Sequence, residues 1–517
     1  MGYVIGVDIG TSSTKAVLFD TRGVQITRCA EQYPLRSPVP GAAEQSADEI
    51  LAATLQTVTQ VVAASGIDTR LLLGVSFSAA MHTLLLIDAE NQPITPMFTW
   101  ADSRSDRWSE AVQAQDTQTK HGADSLYQRT SIPPHPMSPV VKLAWLREER
   151  PALFAQAARV VSIKEYVLWH WCGEWVIDYS IASTTGLLNL SRLNWDEGAV
   201  ELAGIRHAQL SQLVPTTHQL PLRAICAQKM GIPAGTAIVV GASDGPLANL
   251  GVGAITPEIA AITLGTSGAI RRAVHQPMTD RATQLFCYAL ATDWWVMGGA
   301  VNNGGIALQW TRDCLVPYST AVEPPLSSSE PSASTYERMT QMAAAIAPGA
   351  EGLIFHPYLL GERAPLWDAQ ARASFFGLSR RHSQAHLVRA VMEGVLYNMQ
   401  TVFEALVRTG GEVERLRASG GFAHSALWQQ MLADIMNRPV EIPTVIESSA
   451  FGAAVLALVA LGEWSHIEEV TERVEIAQVR TPIAKNVSRY QKLLPIYADL
   501  LSAFRNQYAA LQQALRD

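Results

Sequence analysis

Residues 7–19 read VDIGTSSTKAVLF, and residues 261–273 read AITLGTSGAIRRA. Each is an apolar run, a Gly-Thr-Ser turn and a second β-rich run, which predicts two strands joined by a tight hairpin. A further run at 24–28 follows Arg22-Gly23, so the N-terminus should form a three-stranded meander. The echo at 261–273 suggests an internal duplication with its boundary between residues 245 and 257. Between the two hairpins, Ser46-x-x-Glu49 reads as a capping box opening a helix that carries Ile50, Leu51, Leu55, Val58, Val61 and Val62. Strands are expected at 71–77 and 84–88, and a helix from about Pro139. In the second half, strands are expected at 259–264, 269–274, 284–290 and 294–297. Helices are expected at 303–313, 386–408 and 425–436, and an amphipathic one over the last ~30 residues. The stretch EPPLSSSEPSAST (323–335) has the composition of a surface loop.

The chain has 517 residues, 48% hydrophobic and 17% charged, which fits a folded globular protein and excludes wholesale disorder. Its formal net charge of −8 argues against a nucleic-acid surface. The five cysteines are scattered without CxxC spacing, so neither a disulfide framework nor a zinc site is expected. No signal peptide is read at MGYVIGVDIG, and the longest apolar run, at 450–461, is too short to span a bilayer. A cytoplasmic location and no membrane partner are therefore expected.

A hairpin turn rich in glycine and hydroxyls can aim several N–H and O–H donors at one anion. Gly10-Thr11-Ser12-Ser13 and Gly265-Thr266-Ser267-Gly268 both have that composition, and Lys15 adds a nearby cation. Asp8, just before the first turn, would repel phosphates unless Mg²⁺ bridged them. No GxxxxGK[ST] occurs, so this is not a P-loop chain. Asp244, in GASDGPLANLGVG after an apolar strand, reads either as a helix cap or as a general base kept ionised by a helix N-terminus. The same stretch matches G-x-S-x-G, which would make Ser243 a hydrolase nucleophile needing a histidine such as His356 or His424.

The motifs together resemble the FGGY carbohydrate kinases, a family of the actin-like ATPase superfamily. They are VDIGTSSTK, MSPVVKLAWLREE (137–149), GASDG, LGTSG, ASGG, ESSAFGAA and the segment 373–393. That last segment carries Gly377-Leu378, His386-Leu387 and Ala390-Val391-Met392-Glu393. The resemblance implies an α/β fold of two ribonuclease-H-like domains around a central cleft. Residues 1–247 would bind the sugar and carry the base, 248–465 would bind ATP, and 466–517 would be a mainly helical extension. It implies Asp244 as base and Asp8 and Asp244 as the water-mediated Mg²⁺ site. Gly10, Thr11, Ser12, Ser13, Lys15, Gly265, Thr266, Gly305, Gln309, Gly420, Gly421 and Ser425 would contact ATP, and Met81-His82 the sugar.

Within the family, the phrases TWADSRS (99–105), SIKEYV (162–167), DYSIASTTGLLNL (178–190) and GASDGPLANLGVGAI (241–255) resemble the gluconate-phosphorylating members. Glycerol kinases have Arg-Glu at Met81-His82 and Asp-Gln at Asp244-Gly245. Xylulokinases share Met-His but usually carry Asn after the base. The expected reaction is therefore ATP-dependent phosphorylation of D-gluconate at C6, with a kinase for xylulose or another open-chain sugar as the alternative. The substrate carboxylate needs a cation, for which Arg104, Lys164 and His82 are candidates, while Asp102 could accept sugar hydroxyls. The expected partners are the sugar acid and ATP, and the reading allows a homodimer.

Overall fold

Residues 3–32 form the expected meander: β1 (Tyr3–Ile9), β2 (Ser13–Asp20) and β3 (Gln25–Gln32), antiparallel in sequence. The computed structural model describes residues 2–116, 125–316, 333–445 and 447–514; the loop expected at 323–335 lies largely outside them. Three more strands complete the first sheet: β4 (Leu72–Ala79), β5 (Gln219–Pro221) and β6 (Ala237–Ser243). The order is β5-β6-β4-β1-β2-β3, with β1, β4 and β6 mutually parallel. Central parallel strands are covered on both faces, which is why β1 and β6 read as near-continuous apolar runs.

The two faces of β1 meet different partners, as strand alternation requires. Ile5, Val7 and Ile9 join a core with Ile50, Val58 and Val61 of the helix Ala47–Ser65. On the other face lies the helix Ser448–Ala460, residues 450–458 of which are buried. It approaches closely enough that a Cβ on Gly6 would lie 1.9 Å from Ala450 O. The same helix packs backbone to backbone on the helix Asp244–Gly251: a Cβ on Gly452 would lie 2.2 Å from Leu247 O, and one on Gly251 1.9 Å from Ser448 O. Glycine here sets an interhelical distance that no other residue permits. The apolar run 450–461 is thus a core helix, and no helix among the described residues is long and apolar enough to cross a membrane.

The second sheet contains β7 (Ile259–Leu264), β8 (Gly268–Val274), β9 (Phe286–Ala291), β10 (Trp294–Val301), β11 (Arg415–Ser419), β12 (Val440–Pro443) and β13 (Ile476–Arg480). Its order is β9-β10-β8-β7-β11-β12-β13. β7 and β11 are parallel, with Thr263 beside Ser419. β13 is not foreseen in the sequence reading, because IAQVR is a short alternating run within a segment read as helical; it pairs antiparallel with β12. The expected terminal helix is Ala484–Ala514. Its Tyr490 hydroxyl donates to Glu393 (2.8 Å) and accepts from Arg389 (2.8 Å), pinning it to the helix Gln384–Gly410. Glu393 of the 373–393 motif is therefore a buried structural carboxylate.

The chain divides into two units that are not consecutive in sequence. The first is Met1–Thr256 with Arg272–Met297 and Val445–Glu475; the second is Pro257–Arg271 with Gly298–Thr444 and Ile476–Asp517.

Candidate active site

In the first unit, parallel register aligns the carboxyl ends of three strands. Asp8 on β1 lies beside Ser78 on β4, which lies beside Ala242 on β6; one step on, Ile9, Ala79 and Ser243 align. Asp244 directly follows β6, so Asp8 and Asp244 stand at one sheet edge, one strand apart. Strands so separated are about 10 Å apart. The carboxyl ends of parallel strands are where open α/β sheets bind ligands.

Asp8 is half-buried, and Ser78 Oγ donates to its Oδ1 at 2.7 Å. Burial raises its pKa above the ordinary carboxylate value; the Ser78 bond and the Lys15 charge oppose that rise, and Glu447 adds to it. Lys15 faces Asp8 across the β1–β2 ladder but extends its Nζ to Glu447 Oε2 at 2.8 Å. Glu447 also accepts from Arg28 Nη1 at 2.9 Å. Glu447 is missed by the sequence reading as a site residue. The signal was the ESSAFGAA motif, but nothing local shows that its glutamate would meet residues 15 and 28.

Asp244 owes its position to a bulge. Val239 pairs with Ser76, yet Ala242 pairs with Ser78, so two residues of β6 oppose one of β4. Gly241 in the bulge has φ +74°, and a Cβ there would sit 1.8 Å from Phe77 O. Ser243, not Asp244, is the cap of the helix Asp244–Gly251, and Asp244 occupies its first turn with Oδ1 accepting from Gly245 N at 2.8 Å. An ionised carboxylate is favoured at that helix end.

The 10–13 turn is held from outside. Gly10 N donates to Ser13 O (3.0 Å), Tyr33 Oη to Gly10 O (2.6 Å), Gln45 Nε2 to Thr11 O (2.8 Å) and Trp100 Nε1 to Thr11 Oγ1 (3.1 Å). The carbonyls are thereby engaged, and the Thr11 and Ser12 N–H groups find no partner among the described residues. That leaves two donors at the tip for an anion.

Of the sugar candidates, His82 is buried at φ +59°, an uncommon backbone conformation for a residue with a side chain. Its Nδ1 is 2.6 Å from Thr184 O and its Nε2 3.2 Å from Tyr288 Oη. The carbonyl fixes the proton on Nδ1. Met81, beside it, is half-buried. Arg104 binds two carboxylates: Nη2 lies 2.6 Å from Asp102 Oδ2 and 2.5 Å from Glu44 Oε1. It also lies over Phe98 and Trp145, at 5.3 and 4.9 Å from the ring centroids. Burial disfavours its charge, but Asp102 and Glu44 outweigh burial and raise its pKa. Asp102 is buried and spends its oxygens on Arg104 and on Ala43 N at 3.0 Å. Lys164 is only 1% exposed and pairs with Asp178 at 2.6 Å. A cation so enclosed does not reach an entering ligand, so the geometry sets Lys164 behind the site.

In the second unit, the 265–268 turn packs on the start of the helix Gly305–Leu315: Gly305 N donates to Gly265 O at 2.7 Å, and Gly304 N and Ile306 N donate to Thr266 O at 3.1 Å each. Gly420, at φ +98°, brings the adjoining loop against Leu264, since a Cβ there would lie 2.6 Å from Leu264 O. Gly265, Thr266, Gly305 and Gly420 thus meet in one place. A Cβ on Gly265 or Gly421 would touch nothing within 4 Å, so both line open space. Ser425 caps the helix Ala426–Met436 through a bond from Trp428 N at 3.3 Å, and Gln309 is half-buried on the helix Gly305–Leu315.

The hydrolase reading of Ser243 fails. Its side chain is fully buried, its Oγ lies 2.8 Å from Ser180 Oγ, and its two candidate histidines are otherwise placed. His356 Nε2 is bonded to Tyr497 O at 3.0 Å, and His424 is exposed. Among the described residues no group of three or more His, Cys, Asp or Glu could hold a metal ion. Mg²⁺ in phosphoryl-transfer sites commonly takes one or two carboxylates, waters and the phosphates themselves, a requirement that Asp8 and Asp244 can meet.

Residues 3–251 match the N-terminal domain, and residues 260–461 the C-terminal domain, of the FGGY family of carbohydrate kinases. The chain is 42% identical to a gluconokinase of Bacillus subtilis over 98% of its own length and 97% of the relative's. Among solved structures it resembles a gluconate kinase from Lactobacillus acidophilus, with TM-score 0.90, 34% identity and 99% of each chain covered. It equally resembles a ligand-bound xylulose kinase from the same organism, with TM-score 0.90, 34% identity and coverage of 99% and 100%. The fold is the actin-like ATPase fold of these kinases.

Proposed function

The chain belongs to the FGGY family of carbohydrate kinases, and from that premise we propose that it transfers the γ-phosphoryl group of ATP to the C6 hydroxyl of D-gluconate, in the cytoplasm. The observation that carries the choice of substrate is the 42% identity to a gluconokinase across essentially the whole of both chains. The geometry that supports the chemistry is the shared sheet edge of Asp8, Asp244 and the 10–13 turn.

Residues 1–247 supply the sugar site and the base, residues 248–465 the ATP site, and residues 466–517 brace the latter. Asp244, held at a helix start, accepts the C6 proton as that oxygen attacks the γ-phosphorus in line. In the first unit the free N–H groups of the 10–13 turn, with Ser12, Ser13 and Lys15, offer donors to phosphate; in the second unit the meeting point of Gly265, Thr266, Gly305 and Gly420, with Gln309, Gly421 and Ser425, binds the nucleotide. Asp8 and Asp244 would hold Mg²⁺ through water, and the ion would supply charge neutralisation at the phosphates. His82, buried beside Met81, takes the substrate carboxylate. Arg104 and Asp102, with Met81, form the wall for the hydroxyls.

The test is ADP release measured with gluconate, xylulose and glycerol at equal concentrations. Gluconate should give the highest kcat/KM by at least tenfold. A preference for xylulose would replace the proposal with the alternative that the 0.90 TM-score to a xylulose kinase keeps in view.

A further inference from the structure

Lys164 and Asp178 are both essentially excluded from solvent, with side chains 1% and 0% exposed, and their charged atoms are 2.6 Å apart. A buried ion pair is a poor way to stabilise a fold, because desolvating two charges offsets most of their attraction. Its neighbours lead to the base. Asp178 Oδ1 accepts from Ile181 N at 2.9 Å, capping the short helix Tyr179–Ser183. Ser180 of that helix accepts from Ser243 N at 3.1 Å, and its hydroxyl lies 2.8 Å from the Ser243 hydroxyl. Ser243 is the residue before Asp244. A connected path thus runs from the pair, through the capped helix and Ser180, to the residue before Asp244.

We infer that the buried Lys164–Asp178 pair is a positioning device for Asp244, fixing its backbone through the capped helix, Ser180 and Ser243. This rests on the reading of Asp244 as the general base.

The experiment measures kcat and the KM values for gluconate and ATP in three variants of the full chain. Lys164→Met with Asp178→Asn removes both charges while the asparagine keeps the helix cap. It should lower kcat at least tenfold and leave both KM values within about threefold. Ser180→Ala should lower kcat several-fold with both KM values unchanged, and it keeps the inference testable if the double variant does not fold. Unchanged kcat in both the double variant and Ser180→Ala overturns it, as does a loss that falls on the KM values instead of on kcat. Asp244→Asn separates the two levels: near-normal turnover there defeats the base assignment itself, whereas an inactive Asp244→Asn beside an unaltered double variant defeats only the positioning role.

Discussion

Replacing Arg104 with methionine should cost about 3 kcal/mol of stability, and the figure follows from what Asp102 would lose. The Asp102 side chain is 0% exposed, and three of the bonds it accepts come from the Arg104 guanidinium, at 2.6 Å from Nη2 and 3.2 Å to each oxygen from Nε. Without them it retains Ala43 N at 3.0 Å and Arg104 N at 3.2 Å. Removing one partner of a buried pair typically costs ~3–5 kcal/mol. The lower end applies here because two backbone donors remain and methionine still fills the space between Phe98 and Trp145. The assay is urea unfolding followed by tryptophan fluorescence. Adding Asp102→Asn to Arg104→Met should recover most of the loss, since the fully buried Asp102 charge is then gone and the Glu44 that remains is only partly buried. A loss below about 1 kcal/mol in the single variant would refute the view that Arg104 is committed to its carboxylates. The same two proteins report on substrate. If the stable double variant binds gluconate with unchanged KM, Arg104 serves the fold alone.

Asp244→Asn should cut turnover at least ~100-fold, the usual contribution of a positioned base, while the KM for ATP stays within about threefold; ADP-release kinetics measure both. Gly452→Ala should prevent proper docking of its helix, because the added Cβ would lie 2.2 Å from a backbone carbonyl, and should appear as loss of soluble protein or a sharply lowered unfolding midpoint. His356 gives a pH signature. Burial lowers its pKa to about 4, against a weaker raising bond to Tyr497 O, from an ordinary 6.5. The unfolded chain therefore binds more protons between these values, and stability should fall as pH drops from about 6.5 to 4, by up to ~1.4 kcal/mol per unit. His356→Gln should flatten that slope in urea midpoints taken across the window; equal slopes would contradict the buried neutral state.

The paired Gly-Thr-Ser turns were legible in the sequence because hairpin chemistry is local: glycine, small hydroxyls and flanking apolar runs specify a turn without help from elsewhere. Asp8 and Asp244 were legible for the same reason, each lying at the end of an apolar strand. The partners of charged residues were not. Nothing near Lys164 reveals that Asp178 will neutralise it, nor near Arg104 that Glu44 will, because these pairs are set by how distant segments pack. Glu447 meets Lys15 across 432 positions of sequence. The strand Ile476–Arg480 escaped notice because five alternating residues at a sheet edge carry little periodic signal.

The helix Ser448–Ala460 also constrains how this protein is made. It covers one face of β1, yet the ribosome delivers it some 440 residues after that strand emerges. The first unit therefore cannot finish folding cotranslationally as an N-terminal module, and its apolar face must wait, shielded by chaperones or by transient packing, until nearly the whole polypeptide has been synthesised. Premature termination anywhere before residue 448 should yield aggregation-prone product rather than a folded half.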